Sequence, residues 1–315
     1  MRRLLSRLAL LPLLAVAACG SGTPRYGAAC RVEKSADLPL RNVDNFLFAP
    51  VSIGGETVLL VVDTGAETTL LTPEMVARIG LVRDANRRSV LLGVAGAVTS
   101  ENVVARDLRV GTIDLGDTSL GVGAIAPIPA LGVPLGGLLG TDILGRYDVE
   151  IDAPARRMTL FTVTNCRDFA PWDGHAIAIP ALLTSGGRLF VPAAVDRQPV
   201  RAQLDTGARN SLVTQRVANR VGVSDRVLAG DPVRFGHGVG EVGIALRRHR
   251  FDRITVGGLS EDNVELNVAD TRLPGVEMLL GADWLSGKRI WISFARKVLF
   301  VQPPVRSAGS EAAAG

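Results

Sequence analysis

Two aspartates occupy matching settings in this chain, Asp63-Thr64-Gly65-Ala66 and Asp205-Thr206-Gly207-Ala208, 142 residues apart. Each ends an apolar stretch, Val58-Leu-Leu-Val-Val62 before the first and Val200-Arg-Ala-Gln-Leu204 before the second. Two carboxylates delivered by two copies of one unit suit acid–base activation of a water molecule. Close carboxylates resist simultaneous ionisation, so such a pair keeps one proton while the charged partner acts as base. A glycine beside each aspartate lets the backbone approach a carboxylate and donate its N–H. That chemistry needs no metal, cofactor or covalent intermediate, and none is expected. The chain has no His-Glu-x-x-His run and no recognisable nucleophile elbow. His175 and His249 lack ligand partners at metal-site spacing, and His237 reads as a solvated turn residue or a substrate contact.

The elements that position the aspartates are themselves repeated. Phe48-Ala-Pro-Val-Ser-Ile-Gly-Gly-Glu-Thr aligns without a gap to Phe190-Val-Pro-Ala-Ala-Val-Asp-Arg-Gln-Pro. The register continues through Asp63-Thr-Gly-Ala-Glu-Thr-Thr-Leu-Leu-Thr and Asp205-Thr-Gly-Ala-Arg-Asn-Ser-Leu-Val-Thr. Downstream, Leu138-Leu-Gly-Thr-Asp142 answers Leu279-Leu-Gly-Ala-Asp283 with the offset changed by one residue, which indicates duplication. Short apolar runs bounded by Gly, Pro or Asp predict strands and hairpins. Short helices are predicted at Pro73–Gly80 and Gln215–Gly222, with Thr72 and Thr214 as N-caps and Gly80 and Gly222 as stops. Gly-rich turns follow at Gly93–Gly96 and Gly236–Gly240. Asp142 and Asp283 open short helical turns and read as caps. Trp172, Trp284 and Trp291 read as core or lobe-contact residues.

Strand, Asp-Thr-Gly-Ala, strand, Gly-rich hairpin, then Leu-Gly-x-Asp resembles the retropepsin family of aspartic proteases, over Phe46–Phe161 and again over Leu189–Val301. The resemblance implies a mostly β fold: two retropepsin-like (acid protease) β-barrel lobes in tandem, each with a short helix, related by a pseudo-two-fold axis. It also implies an aspartic endopeptidase with Asp63 and Asp205 as the catalytic pair, acting on a peptide or protein. Thr64, Gly65, Thr206 and Gly207 would support the two loops, and Thr64 and Thr206 would bond across the axis. Gly93, Gly96, Gly236, Gly238 and Gly240 would lie in flaps that close over an extended substrate. Thr141 and Ala282 stand where retroviral enzymes usually carry Arg. Two alternatives keep the fold: a catalytically silent peptide-binding module, and lobes that pair between chains instead of within a monomer.

Composition and the chain ends bound the rest. The 35 glycines, 17 prolines and 4% aromatic residues suit a turn-rich β protein rather than a helical bundle. There is no basic patch with interleaved aromatics, so nucleic acid is not an expected partner. Arg2, Arg3 and Arg7 precede an apolar run, Leu8–Ala18, too short for a typical membrane span. Small residues before Cys19 resemble a bacterial lipobox. Residues 1–19 are therefore expected to be a lipoprotein signal with Cys19 acylated, giving a membrane-anchored, periplasm-facing protein; plain secretion is the alternative. Cys30 and Cys166 remain as a candidate disulfide suited to an oxidising compartment. The expected organisation is 20–45 tether, 46–164 first lobe, 165–188 junction, 189–302 second lobe and 303–315 disordered tail, with 20–45 also able to occupy the cleft as a pro-segment.

Overall fold

The computed structural model describes residues 29–302 apart from 94–95, 173–174, 240–242 and 272–273. Cys19, Gly240 and the tail from residue 303 lie outside the described residues. The first half of the chain forms β1 (Arg31–Pro39), β2 (Arg41–Val43), β3 (Phe46–Ile53), β4 (Glu56–Val62), β5 (Leu70–Leu71) and β6 (Val82–Gly93). It continues with β7 (Gly96–Val110), β8 (Ile113–Val122), β9 (Gly137–Leu139), β10 (Asp148–Asp152) and β11 (Arg157–Thr164). The second half forms β12 (Ile177–Pro180), β13 (Leu182–Leu183), β14 (Leu189–Val195), β15 (Gln198–Leu204), β16 (Leu212–Thr214) and β17 (Val233–His237). It ends with β18 (Gly243–Val256), β19 (Leu259–Ala269), β20 (Met278–Leu280), β21 (Arg289–Ser293) and β22 (Val298–Val301).

Sheet order gives the symmetry directly. One eight-stranded sheet runs β2-β3-β4-β9-β5-β8-β7-β6, and the other runs β13-β14-β15-β20-β16-β19-β18-β17. Each label is raised by eleven. Each sheet curls on itself through one further pairing, β3 with β7 and β14 with β18, making two barrel-like lobes. The remaining strands form a six-stranded sheet, β1-β11-β10-β21-β22-β12, symmetric about the antiparallel pair β10–β21. The fold is therefore mostly β, with two retropepsin-like lobes in tandem related by a pseudo-two-fold axis.

Helices are few and short, as the caps dictate. Pro73–Ile79 starts at Thr72, whose side chain accepts from Met75 N–H, and stops at Gly80 with φ +74°. Gln215–Arg220 starts at Thr214, which accepts from Val217 N–H, and Gly222 follows at φ +89°.

Residues 31–43, expected as a tether, form two strands. In Ala36-Asp-Leu-Pro-Leu40 alternate side chains are buried, so the segment pairs as β1 beside β11 and turns its apolar face to the core while its charged residues face outward. Cys30, just before β1, is disulfide-bonded to Cys166, just after β11. The expected junction also carries structure: β12 joins the six-stranded sheet and β13 the second lobe.

The midline of that sheet holds a buried carboxylate. Asp148 of β10 accepts from Trp291 Nε1 (2.8 Å) and Ser293 Oγ (2.9 Å), with Arg296 at 3.4 Å, all from the second half. Trp291 stacks on Phe161 at 4.3 Å, and Trp284 is buried in the second half, as lobe-contact and core roles require. Asp148→Ala leaves Arg296 and two donors without their partner, and we expect a loss of about 3–5 kcal/mol in urea unfolding. A loss under about 1 kcal/mol would show that water replaces the carboxylate.

Candidate active site

β4 and β15 are the strands that deliver the aspartates. Each is paired in parallel with the strand of a Leu-Leu-Gly motif, β9 or β20, and the register carries past the strand end. Asp63 N–H donates to Leu139 O, and Asp205 N–H to Leu280 O, both at 3.0 Å. The chain then turns at Thr64 and at Thr206, both fully buried.

These threonines lock the two loops together. Thr64 N–H donates to Thr206 Oγ1 (3.0 Å), and Thr206 N–H donates to Thr64 Oγ1 (3.1 Å). Each hydroxyl in turn donates to the opposite lobe, Thr64 to Leu204 O (2.8 Å) and Thr206 to Val62 O (2.6 Å). A hydroxyl both accepts and donates here, so valine of the same shape would strand buried partners.

The carboxylates occupy each other's glycine. A Cβ on Gly65 would lie 2.5 Å from Asp205 Cγ, and one on Gly207 would lie 2.3 Å from Asp63 Cγ. Only glycine leaves that space. Asp63 Oδ1 accepts from Gly65 and Ala66 N–H, both at 2.9 Å, and Asp205 Oδ1 from Gly207 (3.1 Å) and Ala208 (3.0 Å). Burial pushes the Asp63 carboxyl up to about 6 against the two N–H donors that pull it down. Asp205 is pushed well above the usual carboxylate range, first by burial and then by the Asp63 charge. The pair therefore keeps a proton at a pH where ordinary carboxyls have lost theirs.

Behind each loop stands a second hydroxyl–carboxylate unit. Thr69 donates to Asp142 Oδ1 from N–H (2.8 Å) and Oγ1 (2.6 Å), and Thr69 Oγ1 accepts from Gly140 N–H (2.9 Å). Ser211 does the same with Asp283 (2.8 and 2.7 Å) and Gly281 (2.9 Å). Gly140 and Gly281 themselves begin the helical turns, so Asp142 and Asp283 are not the N-caps expected of them. They fasten the far end of each aspartate loop, and burial raises the Asp142 carboxyl. The motif's glycine is needed because a Cβ would come within 2.8 Å of the loop backbone at Thr68 and 2.7 Å at Asn210. The sequence alone assigns no role to Thr69 and Ser211, although their matched hydroxyls stand at the same place in both repeats.

The lobes also meet through charge. Arg188 Nε donates to Glu67 Oε1 at 2.8 Å, while Arg209, which occupies Glu67's place in the second repeat, approaches Asp44 at 3.6 Å. Thr141 Oγ1 reaches Ala66 O and Gly186 O, both at 3.0 Å, linking the first loop to the β13–β14 turn.

The Gly-rich turns are tips of long hairpins, β6–β7 and β17–β18. The hairpins touch: a Cβ on Gly93 would lie 2.5 Å from Val239 O. Val239 also pairs antiparallel with Ile125 and packs on the first lobe's apolar cluster around Leu91, Leu70 and Phe48. Gly96 opposes Gly93 at the first tip, Gly238 is half-buried beside Val239, and Gly236 packs under Leu246 of its own hairpin. His249 pairs with Asp231 at 2.7 Å within the second lobe.

Comparison with known proteins agrees with both lobes. Residues 49–143 match the aspartyl protease family, and residues 191–287 match the gag-polyprotein aspartyl protease family. No curated protein matches the chain. Among solved structures, the crystal structure of Basic 7S globulin from soybean aligns over 86% of this chain and 95% of its own. The identity is 12% and the TM-score 0.45. With an Asp-Thr-Gly loop in each of two tandem matches that together cover more than half of its length, the chain belongs to the retropepsin-like aspartic proteases.

Proposed function

We propose that this chain is an aspartic endopeptidase whose single site is shared by Asp63 and Asp205 within one monomer. The observation that carries the reading is the seating of each carboxylate over the other loop's glycine. Asp63, taken as the ionised partner, accepts a proton from a water as the water oxygen attacks the scissile carbonyl carbon. Asp205 donates its proton to the carbonyl oxygen. When the tetrahedral carbon collapses, the C–N bond breaks, the proton on Asp63 passes to the leaving nitrogen, and a hydroxyl proton returns to Asp205. An extended peptide pairs by its main chain with the β6–β7 and β17–β18 hairpins, which move to admit it.

The test is cleavage of an unstructured protein by the soluble form, with and without a pepstatin-like inhibitor. Inhibitor-sensitive cleavage is expected; an intact fold with no cleavage at any pH returns the chain to a silent peptide-binding module. The pH profile follows from the carboxyls. Activity rises as Asp63 ionises, near pH 6, and falls when Asp205 loses its proton at higher pH. An optimum below pH 4 would contradict this order.

The same proposal places the enzyme in the bacterial cell envelope, periplasm-facing and lipid-anchored through Cys19. The basic start, the apolar run and the small residues before Cys19 support it, and the Cys30–Cys166 disulfide suits an oxidising compartment. Radiolabelled fatty acid should enter the wild-type chain and not a Cys19→Ala variant; equal labelling would remove the anchor from the proposal.

A further inference from the structure

The interface between the lobes is symmetric in backbone and polarised in charge. Five ion pairs cross it among the described residues: Glu67–Arg188, Asp44–Arg209, Glu150–Arg289, Asp152–Arg289 and Asp148–Arg296. In all five the acid belongs to the first lobe and the arginine to the second. We infer that this polarity is a recognition device: a first lobe accepts a second lobe and rejects another copy of itself, so the site is built from unlike halves. This deepens the reading above, on which it rests for the identity of the two aspartates that share the site.

The geometry says what a wrong pairing would meet. Glu67 and Arg209 hold the same place in the two repeats, four residues after the aspartate. Each is met by the opposite lobe's β2–β3 or β13–β14 turn, which carries Asp44 in the first lobe and Arg188 at its end in the second. Two first lobes would set Glu67 against Asp44, and two second lobes Arg209 against Arg188. The central sheet repeats the conflict. β10 presents Asp148, Glu150 and Asp152 on one side, opposite Ser293, Trp291 and Arg289 of β21. Two copies of β10 about the same axis would oppose Glu150 to Glu150 and Asp148 to Asp152.

Burial decides which of these contacts matter. The Asp44–Arg209 pair is about half exposed on both sides and adds little. Asp148, Glu150 and Arg188 keep 5%, 9% and 11% side-chain exposure, so a like charge facing any of them is poorly screened. Discrimination therefore resides in the sheet acids and in Glu67–Arg188, by repulsion of the wrong partner as much as attraction of the right one.

Two experiments on the full-length chain test this. In the first, Arg188→Glu is compared with Glu67→Arg and with both together. Each single change should lower Tm by about 5 °C, and the exchanged pair should return it close to wild type. Losses that simply add would overturn the proposal. In the second, the Asp205→Asn chain is unfolded and refolded at high concentration. Two first lobes brought together carry two intact Asp63 loops, so homotypic pairing would appear as a closed dimer in sedimentation velocity. Monomers without hydrolysis are expected, and dimers would overturn the proposal. Neither Tm nor sedimentation depends on catalysis, so both results stand even if the wild-type chain cleaves nothing.

Discussion

Asp205→Asn should lower peptide hydrolysis by about 10⁴-fold, because under the proposed mechanism the proton donor is lost while the fold is kept, and Asp63→Asn should do the same by removing the proposed base. The sharper expectation is that the inactive protein is more stable than the active one at neutral pH. Both carboxyls have folded-state pKa values above the unfolded value, Asp63 near 6 and Asp205 well above the usual range. Folding therefore takes up protons. The associated stability is complete below the unfolded pKa and is lost as pH rises through the folded values. Asparagine keeps an acceptor for the N–H groups of the loop and an NH₂ for the opposite carboxylate, but it carries no charge to desolvate. Urea unfolding at pH 7.5 should favour the Asn variants by on the order of 2–3 kcal/mol, with the difference vanishing near pH 3. An Asn variant less stable than wild type at pH 7.5 would mean that the pair is not strained by burial.

The second large effect comes from one methyl group. Gly65→Ala puts a Cβ 2.5 Å from Asp205 Cγ, and Gly207→Ala puts one 2.3 Å from Asp63 Cγ. Something must move, and the carboxylate is the softer party because its loop backbone is pinned by the threonine bonds. Displacement by about 1 Å is enough to lower activity on the order of 10²-fold or more. Each substitution thus disables the aspartate of the opposite lobe. A kcat for Gly65→Ala within about threefold of wild type would place the two loops farther apart than described above.

The duplication made most of this readable without coordinates. Matching apolar runs predicted β4 and β15, matching threonines predicted the two caps, and matching Asp-Thr-Gly triplets predicted the pair. What escaped was whatever the repeat does not share. β1 reads as a tether because its apolar residues alternate with charges over only a few positions, too few for a strand to stand out without knowing that β11 pairs with it and the core covers one face. Asp142 and Asp283 followed a glycine at a helix start, which is the signature of a cap; that Thr69 and Ser211 claim them instead is a matter of tertiary approach. Arg188 has no charged counterpart in the first repeat, where the same register places Phe46, so neither periodicity nor alignment points to Glu67.

The six-stranded sheet also sets an order in time. By the end of β11 the first lobe has all its own strands, and Cys166 follows at once to close the 136-residue span back to Cys30. The partner of β10, however, lies more than a hundred residues further on. If the chain emerges from the membrane at about the rate of its synthesis, that edge stays open for on the order of 10 s, long enough for two unfinished chains to join edge to edge if nothing prevented it. Asp148, Glu150 and Asp152 line that edge, so the acids that later bind the second lobe first keep the unfinished chain apart from its neighbours.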